Sequence, residues 1–259
     1  MVSSYGPHFG EEVPLVGRYG SGTIFFTNCN LRCLFCQNYA ISHLGEGQKV
    51  SKEELAYIML SVQARGCHNI NLVSPTHVVP QILEALELAV DSDLHLRLVY
   101  NSGGYDSVET LKVLDGIVDI YMPDMKYDDE ETARKLSDIE NYPEVNRAAV
   151  KEMHRQTGDL EINREGVAQR GLLVRHLVLP HGLAGTKGIV NFLSKEISRN
   201  TYVNIMAQYR PCYEALQIPD LGRRISSAEF HEALSFAQEA GLSRLDKIQP
   251  VEVLPILSE

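Results

Sequence analysis

Six short apolar runs, each followed by a segment with helix punctuation, most limit the folds open to this chain of 259 residues. The runs at 22–27, 69–74, 94–100, 117–121, 172–179 and 202–206 read as strands. The intervening segments carry helix signals. Ser51 and Glu54 form a capping box opening a helix to about residue 65, with Leu55, Ile58, Met59 and Val62 on one face and Gly66 as its stop. Pro80 opens a helix to about 90, a short helix is predicted at 107–114, and further helices at 186–198 and 227–240. The charged region 128–157 reads as two helices broken at Tyr142-Pro143. Strands alternating with helices predict an α/β fold of parallel strands joined by right-handed crossovers.

Three of the five cysteines, Cys29, Cys33 and Cys36, follow the first predicted strand in a C-x3-C-x2-C spacing. That spacing lets one loop wrap a metal centre, and the C-terminal end of a strand is where α/β folds place their chemistry. Thiolates select zinc, copper(I) or iron–sulfur iron. A structural zinc site takes four ligands, which His43 or His8 could complete. Ordinary cubane clusters also use four cysteines. Three cysteines without a fourth point to an iron with an open coordination position. Cys67 and Cys212 belong to no motif and read as buried filler.

Composition narrows the class further. The length suits one barrel-like α/β domain as well as two smaller ones. With 44% hydrophobic and 22% charged residues, the chain reads as a soluble globular protein. It has no run of eighteen apolar residues for a membrane span and no secretory signal at Met1–His8. Clustered free cysteines then favour the cytoplasm. A net charge of -10 disfavours bulk nucleic-acid binding. The chain divides into a polar, Gly- and Pro-containing surface lead-in (1–21), a barrel (22–245) and a tail (246–259).

The loop Cys29-Asn30-Leu31-Arg32-Cys33-Leu34-Phe35-Cys36, with an aromatic residue just before its last cysteine, resembles the radical S-adenosylmethionine (SAM) superfamily. The resemblance implies a partial (β/α)6 TIM-like barrel open on one side. It also implies a 4Fe–4S cluster on the three thiolates, whose open iron chelates SAM. One-electron cleavage of SAM then yields a 5′-deoxyadenosyl radical that abstracts hydrogen from a substrate. Phe35 is expected near the adenine end of SAM.

Polar residues at the predicted strand ends mark the rest of the site. They are Ser74-Pro75-Thr76-His77, Asn101-Ser102-Gly103-Gly104-Tyr105, Asp124-Met125-Lys126, Arg175-His176 and Gln208-Tyr209-Arg210. The Asp124-x-Lys126 strand end resembles that of glycyl-radical-enzyme activases such as the pyruvate formate-lyase activating enzyme. That resemblance assigns Asp124, Lys126 and Arg175 to the methionine end of SAM. The usual G-G-E segment of that group is Ser74-Pro75-Thr76 here, and Asn101-Ser102-Gly103 lacks an acid that some activases carry. Ser74, Thr76, Asn101 and Ser102 complete the expected cofactor contacts. The implied partners are an external one-electron donor of flavodoxin or ferredoxin type and a substrate, which is a glycyl radical enzyme, another peptide or a small molecule. The rival from another class is a non-catalytic zinc or iron–sulfur binding module.

Overall fold

The computed structural model describes residues 1–246. In chain order the elements are β1 (Val2–His8), α1 (Val13–Val16), β2 (Ser21–Phe26), α2 (Tyr39–Ser42), α3 (Lys52–Ala64), β3 (Asn69–Val73), α4 (Val79–Asp91), β4 (Arg97–Ser102), α5 (Val108–Val113), β5 (Ile120–Pro123), α6 (Glu130–Ser137), α7 (Tyr142–Thr157), β6 (Glu161–Ile162), β7 (Ala168–Leu177), α8 (Thr186–Phe192), β8 (Tyr202–Met206), α9 (Ser227–Glu239) and β9 (Arg244–Leu245). The sheet runs β1-β2-β3-β4-β5-β7-β8-β9, with β6 paired to β7. From β2 to β9 the neighbours on this path are parallel; β1 is antiparallel to β2. This is the predicted partial α/β barrel, with the two-residue β9 as an added parallel strand.

Local chemistry accounts for the helix boundaries. Ser51 Oγ accepts from Glu54 N at 3.2 Å while Glu54 Oε2 accepts from Ser51 N at 2.7 Å, so the predicted capping box is formed. Ser226 and Glu229 build a second one at α9. The break predicted at Tyr142-Pro143 falls slightly earlier, at Asp138 and Asn141, both left-handed. Pro143 instead sits in the first turn of α7, where its missing N–H leaves no helical bond unmade. After Phe192 the chain continues as a π-helical turn, Leu193–Ile197.

Two predicted strands are displaced toward their C-terminal ends. Leu94 and Ile117 read as strand because they are apolar, yet both pack against the α3–α4 layer, ahead of β4 and β5. Asn101, Ser102 and Pro123 therefore belong to the strands themselves.

The predicted surface lead-in is largely exposed but also adds a strand to the sheet and a side chain to the core. Residues 2–8 form the sheet's antiparallel edge, and α1 sends Leu15 into the barrel. There Leu15, with no exposed surface, packs with Val99, Ile120, Met122 and Leu173. Its burial contributes roughly 1.5–3 kcal/mol. The polar, glycine-rich flanks hid a short apolar block, Val13-Pro14-Leu15-Val16. The tail expected at 246–259 lies, beyond Asp246, outside the described residues.

Alternation along the strands gives the barrel a mixed interior. Ile24, Phe26, Ile70 and Leu72 point outward into the α3–α4 layer. The intervening positions share the inner face through the register, which pairs Thr23 with Asn71, Val73 with Asn101, and Arg175 with Asn204.

Candidate functional site

The three-cysteine loop leaves β2 at its C-terminal end and is clamped from several directions. Arg32 N donates to Ser137 O at 3.0 Å and Leu34 N to Leu136 O at 2.9 Å, both at the end of α6. Ala215 N donates to Leu34 O at 2.9 Å, and Asn30 Nδ2 donates to Tyr105 O at 2.9 Å. Leu31 and Phe35 are buried, and the Phe35 ring meets Tyr127 and Tyr209 edge-on, at 6.5 and 5.9 Å between centroids. Phe35 thus anchors the loop in the core.

Each sulfur has its own surroundings. Cys33 is buried and its sulfur accepts from Ser137 Oγ at 3.0 Å. Cys36 Sγ lies 3.0 Å from Ser42 Oγ, which in turn lies 2.8 Å from His43 Nδ1. Cys29 is half-buried. Burial pushes the Cys33 thiol up to about 11 and raises Cys29 as well; the nearby Lys126 charge works the other way on both. Among the described residues, no three His, Cys, Asp or Glu side chains converge as a single metal ion requires. A cubane makes no such demand, because each thiolate binds a different iron. The donor set therefore fits a cluster held by three thiolates.

Beside the loop lies a buried charge network. Asp124, just beyond β5, accepts from Lys126 Nζ at 2.6 Å and from Arg175 Nε at 2.8 Å. Burial alone would raise the Asp124 carboxyl, but Arg175 and Lys126 together hold it below the usual aspartate range. Burial pulls the Lys126 ammonium down, but Asp124, helped by Cys33 and Tyr142, holds it above the ordinary lysine range. Arg175 also donates to Asn101 Oδ1 at 2.7 Å. The predicted trio of Asp124, Lys126 and Arg175 is thus one connected unit, joined to Asn101.

Thr76 and Ser102 meet elsewhere, on a residue the sequence reading did not single out. Asp106 accepts from Thr76 Oγ1 at 2.7 Å, Tyr100 OH at 2.9 Å and Ser102 Oγ at 2.6 Å. Burial raises its carboxyl despite these donors. Ser74 has a left-handed backbone (φ 58°), and its hydroxyl works slightly against burial at the Cys29 thiol. Gly104 makes the β4 turn possible: a Cβ there would stand 2.1 Å from Asp124 O. Tyr142 ties the turns together, donating to Gly103 O at 2.9 Å and accepting from Lys126 N at 3.0 Å.

The N-terminal segment supplies two further acids. Glu11 Oε2 lies 3.9 Å from Arg175 Nη1, and Glu12 Oε1 lies 4.0 Å from Arg175 Nε. Their signal in the sequence was an acidic pair directly before the apolar Val13–Val16 block. The histidines have other roles. His176 bridges Met125 O and Thr186 Oγ1 at 2.7 and 2.8 Å, and is buried. His77 is exposed. Cys67 packs in the α3–α4 layer, as filler does.

Residues 23–164, more than half the chain, match the Radical SAM superfamily, and the protein belongs to that superfamily. Members of that superfamily use a 4Fe–4S cluster and S-adenosylmethionine. The chain is 34% identical over 244 residues to the uncharacterized protein MJ0674 of Methanocaldococcus jannaschii, covering 91% of this chain and 66% of that protein. It therefore spans just under two thirds of that relative's length. Its fold is similar to that of a radical SAM methyltransferase from Sphaerobacter thermophilus (TM-score 0.60, 14% identity, 88% of this chain and 67% of the other). It is also similar to the FeFe-hydrogenase maturase HydG from Carboxydothermus hydrogenoformans (TM-score 0.57, 15% identity, 85% and 51%). Among the described residues no helix is long and apolar enough to cross a membrane.

Proposed function

We propose that Cys29, Cys33 and Cys36 hold a site-differentiated 4Fe–4S cluster at which SAM is cleaved, and that the protein uses the product radical to remove a hydrogen atom from a substrate. When bound, the cluster and SAM supply the electron and the 5′-deoxyadenosyl radical. The observation that carries this reading is the placement of the three-cysteine loop at the C-terminal end of β2, with Lys126 in electrostatic reach of Cys29 and Cys33.

The chain's own residues prepare the site. Lys126 and Arg175 present positive charge for the SAM carboxylate, and Asp124 orients both. Asn101 gives its oxygen to Arg175 and keeps its Nδ2 to donate. The Thr76 and Ser102 hydroxyls donate into Asp106, so lone pairs are what they offer a ligand. Ser74 lines the Cys29 side, and Phe35 holds the loop in place. Reduction falls to an external one-electron donor of flavodoxin or ferredoxin type, and the setting is the cytoplasm.

Two substrate classes follow. The Asp124-x-Lys126 strand end supports a glycyl radical enzyme. The polar inner wall contributed by buried Glu12 and Asn71 and by half-buried Asn204 favours a peptide or small molecule with a polar end. Anaerobic reconstitution with iron and sulfide, then dithionite and SAM, tests the common core. Formation of 5′-deoxyadenosine, lost in Cys33→Ala, is the expected result. A chain that binds zinc, or forms a cluster that leaves SAM intact, is a binding module instead.

A further inference from the structure

Two buried side chains on the inner face keep polar atoms that no contact above satisfies. Glu12 is 5% exposed, and its Oε1 accepts from Asn204 Nδ2 at 3.0 Å. Its Oε2 is closed off from solvent and has no partner. Asn71 on β3 has no exposed surface, and both its Oδ1 and its Nδ2 lack partners. Buried polar atoms are almost always paired, so a carboxamide unsatisfied at both ends takes its partners from outside the chain. Asn71 is in register with Thr23 and Val99, and Leu15 packs in one cluster with Val99. Glu12 sits one turn before Leu15, its carbonyl accepting from Leu15 N at 2.8 Å. The two orphaned groups therefore face one interior, Asn71 from the sheet and Glu12 from the N-terminal segment.

Charge defines the ligand class. Asp124, Glu11 and Glu12 stand within 4.0 Å of Arg175, and the other cation here, Lys126, pairs with Asp124. Three carboxyl groups thus face two cations, and burial, which raises the Glu12 carboxyl against the pull of Arg175, is offset when a further cation reaches it. His8, 3.5 Å from Glu11 and partly exposed, adds a charge only when protonated. A ligand with one positive charge and several N–H donors supplies both the missing charge and the missing partners. Beside Glu12, away from the Lys126 and Arg175 charges that face SAM, an anion meets repulsion, and a glycine backbone brings no charge.

We infer that Glu12 and Asn71 form the polar subsite of the substrate pocket, and that they take a protonated primary amine. Glu12 Oε2 and Asn71 Oδ1 accept its N–H groups, and Asn71 Nδ2 donates to a neighbouring oxygen of the same ligand. The amine belongs to a small molecule or to a lysine side chain of a peptide. This rests on the radical SAM reading and on the second of its substrate classes.

Calorimetric titration of the reconstituted protein with n-butylammonium, n-butanol and acetate tests the subsite without turnover. Saturable binding of butylammonium alone, weakened at least tenfold in Glu12→Gln, is expected. Nα-acetyl-lysine methylamide separates the sources: it binds at least as tightly as butylammonium if the amine is a peptide lysine, and not at all if it is a small molecule. No binding of either amine, equal binding of butanol, or unchanged affinity in Glu12→Gln overturns the assignment. Asn71→Leu removes an orphaned polar group, so it abolishes amine binding while leaving the melting temperature unchanged or higher. A lowered melting temperature marks Asn71 as structural and also overturns it. Deoxyadenosine formation without amine binding sinks this inference alone. Amine binding by a protein that leaves SAM intact sinks the cluster reading and keeps the subsite.

Discussion

Ser137, the last residue of α6, donates its hydroxyl to the Cys33 sulfur at 3.0 Å across 104 positions of sequence. Its carbonyl accepts from Arg32 N, and its Oγ is 2.6 Å from Tyr127 OH. One helix end therefore fixes both the path of the cysteine loop and the polarity around its most buried sulfur. Hydrogen bonds to ligand sulfurs help set the potential of an iron–sulfur cluster, by stabilising its more negative, reduced form. Ser137→Ala is expected to keep its iron content and shift the midpoint potential downward. A redox titration followed by electron paramagnetic resonance checks this. An unchanged potential would reduce Ser137 to a packing role.

Asp124 is the hinge of the charge network. Replacing it with Asn leaves Lys126 and Arg175 facing each other, both largely buried. Breaking a buried pair in this way costs about 3–5 kcal/mol. Because the Asp124 carboxyl is held below its ordinary value, the folded state stays ionised where the unfolded chain is protonated. Its contribution is complete above about pH 4, the unfolded value, and is lost as pH falls through the depressed folded value. Denaturant melts of the wild type and Asp124→Asn should therefore differ most at neutral pH and converge in acid.

The cysteine loop, the six main parallel strands and the capping box at Ser51 were legible because each depends on residues close in sequence. Glu12, Asp106 and Ser137 were not, because they act through burial and distant partners. Glu12 meets Asn204 across 192 positions. Asn71 was half legible: the polar–apolar alternation of Asn69-Ile70-Asn71-Leu72 marks an inner and an outer face. The alternation cannot say that Asn69 finds Ser21 and Leu15 as partners while Asn71 finds none. The Thr76 and Ser102 hydroxyls look free in sequence, and only the fold brings Asp106 to claim them.

Asp106 leads to a prediction of opposite sign. Burial raises its carboxyl above the ordinary aspartate range although three hydroxyls donate to it. Its contribution to stability is full below about pH 4 and diminishes as pH rises through the folded value. Asp106→Asn keeps an acceptor and carries no charge, so its stability relative to wild type should rise as pH increases from about 4 into the neutral range. Asp106→Ala leaves the Thr76, Tyr100 and Ser102 hydroxyls without their acceptor and should cost about 3 kcal/mol or more. Paired melts across that range decide the matter; a pH-independent difference for Asp106→Asn would mean the carboxyl is not the group that titrates.

Leu15 links the N-terminal segment to the site. It fills the barrel among Val99, Ile120, Met122 and Leu173, and the same short turn carries Glu12 to Asn204 and Arg175. Leu15→Ala should destabilise the fold by about 2–5 kcal/mol, since the rigid strands around it cannot close the cavity. Leu15→Met conserves volume and should cost less than about 1.5 kcal/mol. Phe9, exposed at 63%, serves as the control, and Phe9→Ala should stay within about 0.5 kcal/mol of wild type. If Leu15→Ala unfolds no more readily than Phe9→Ala, the segment is draped over the barrel and does not plug it, and Glu12 loses the anchor that aims it at the interior.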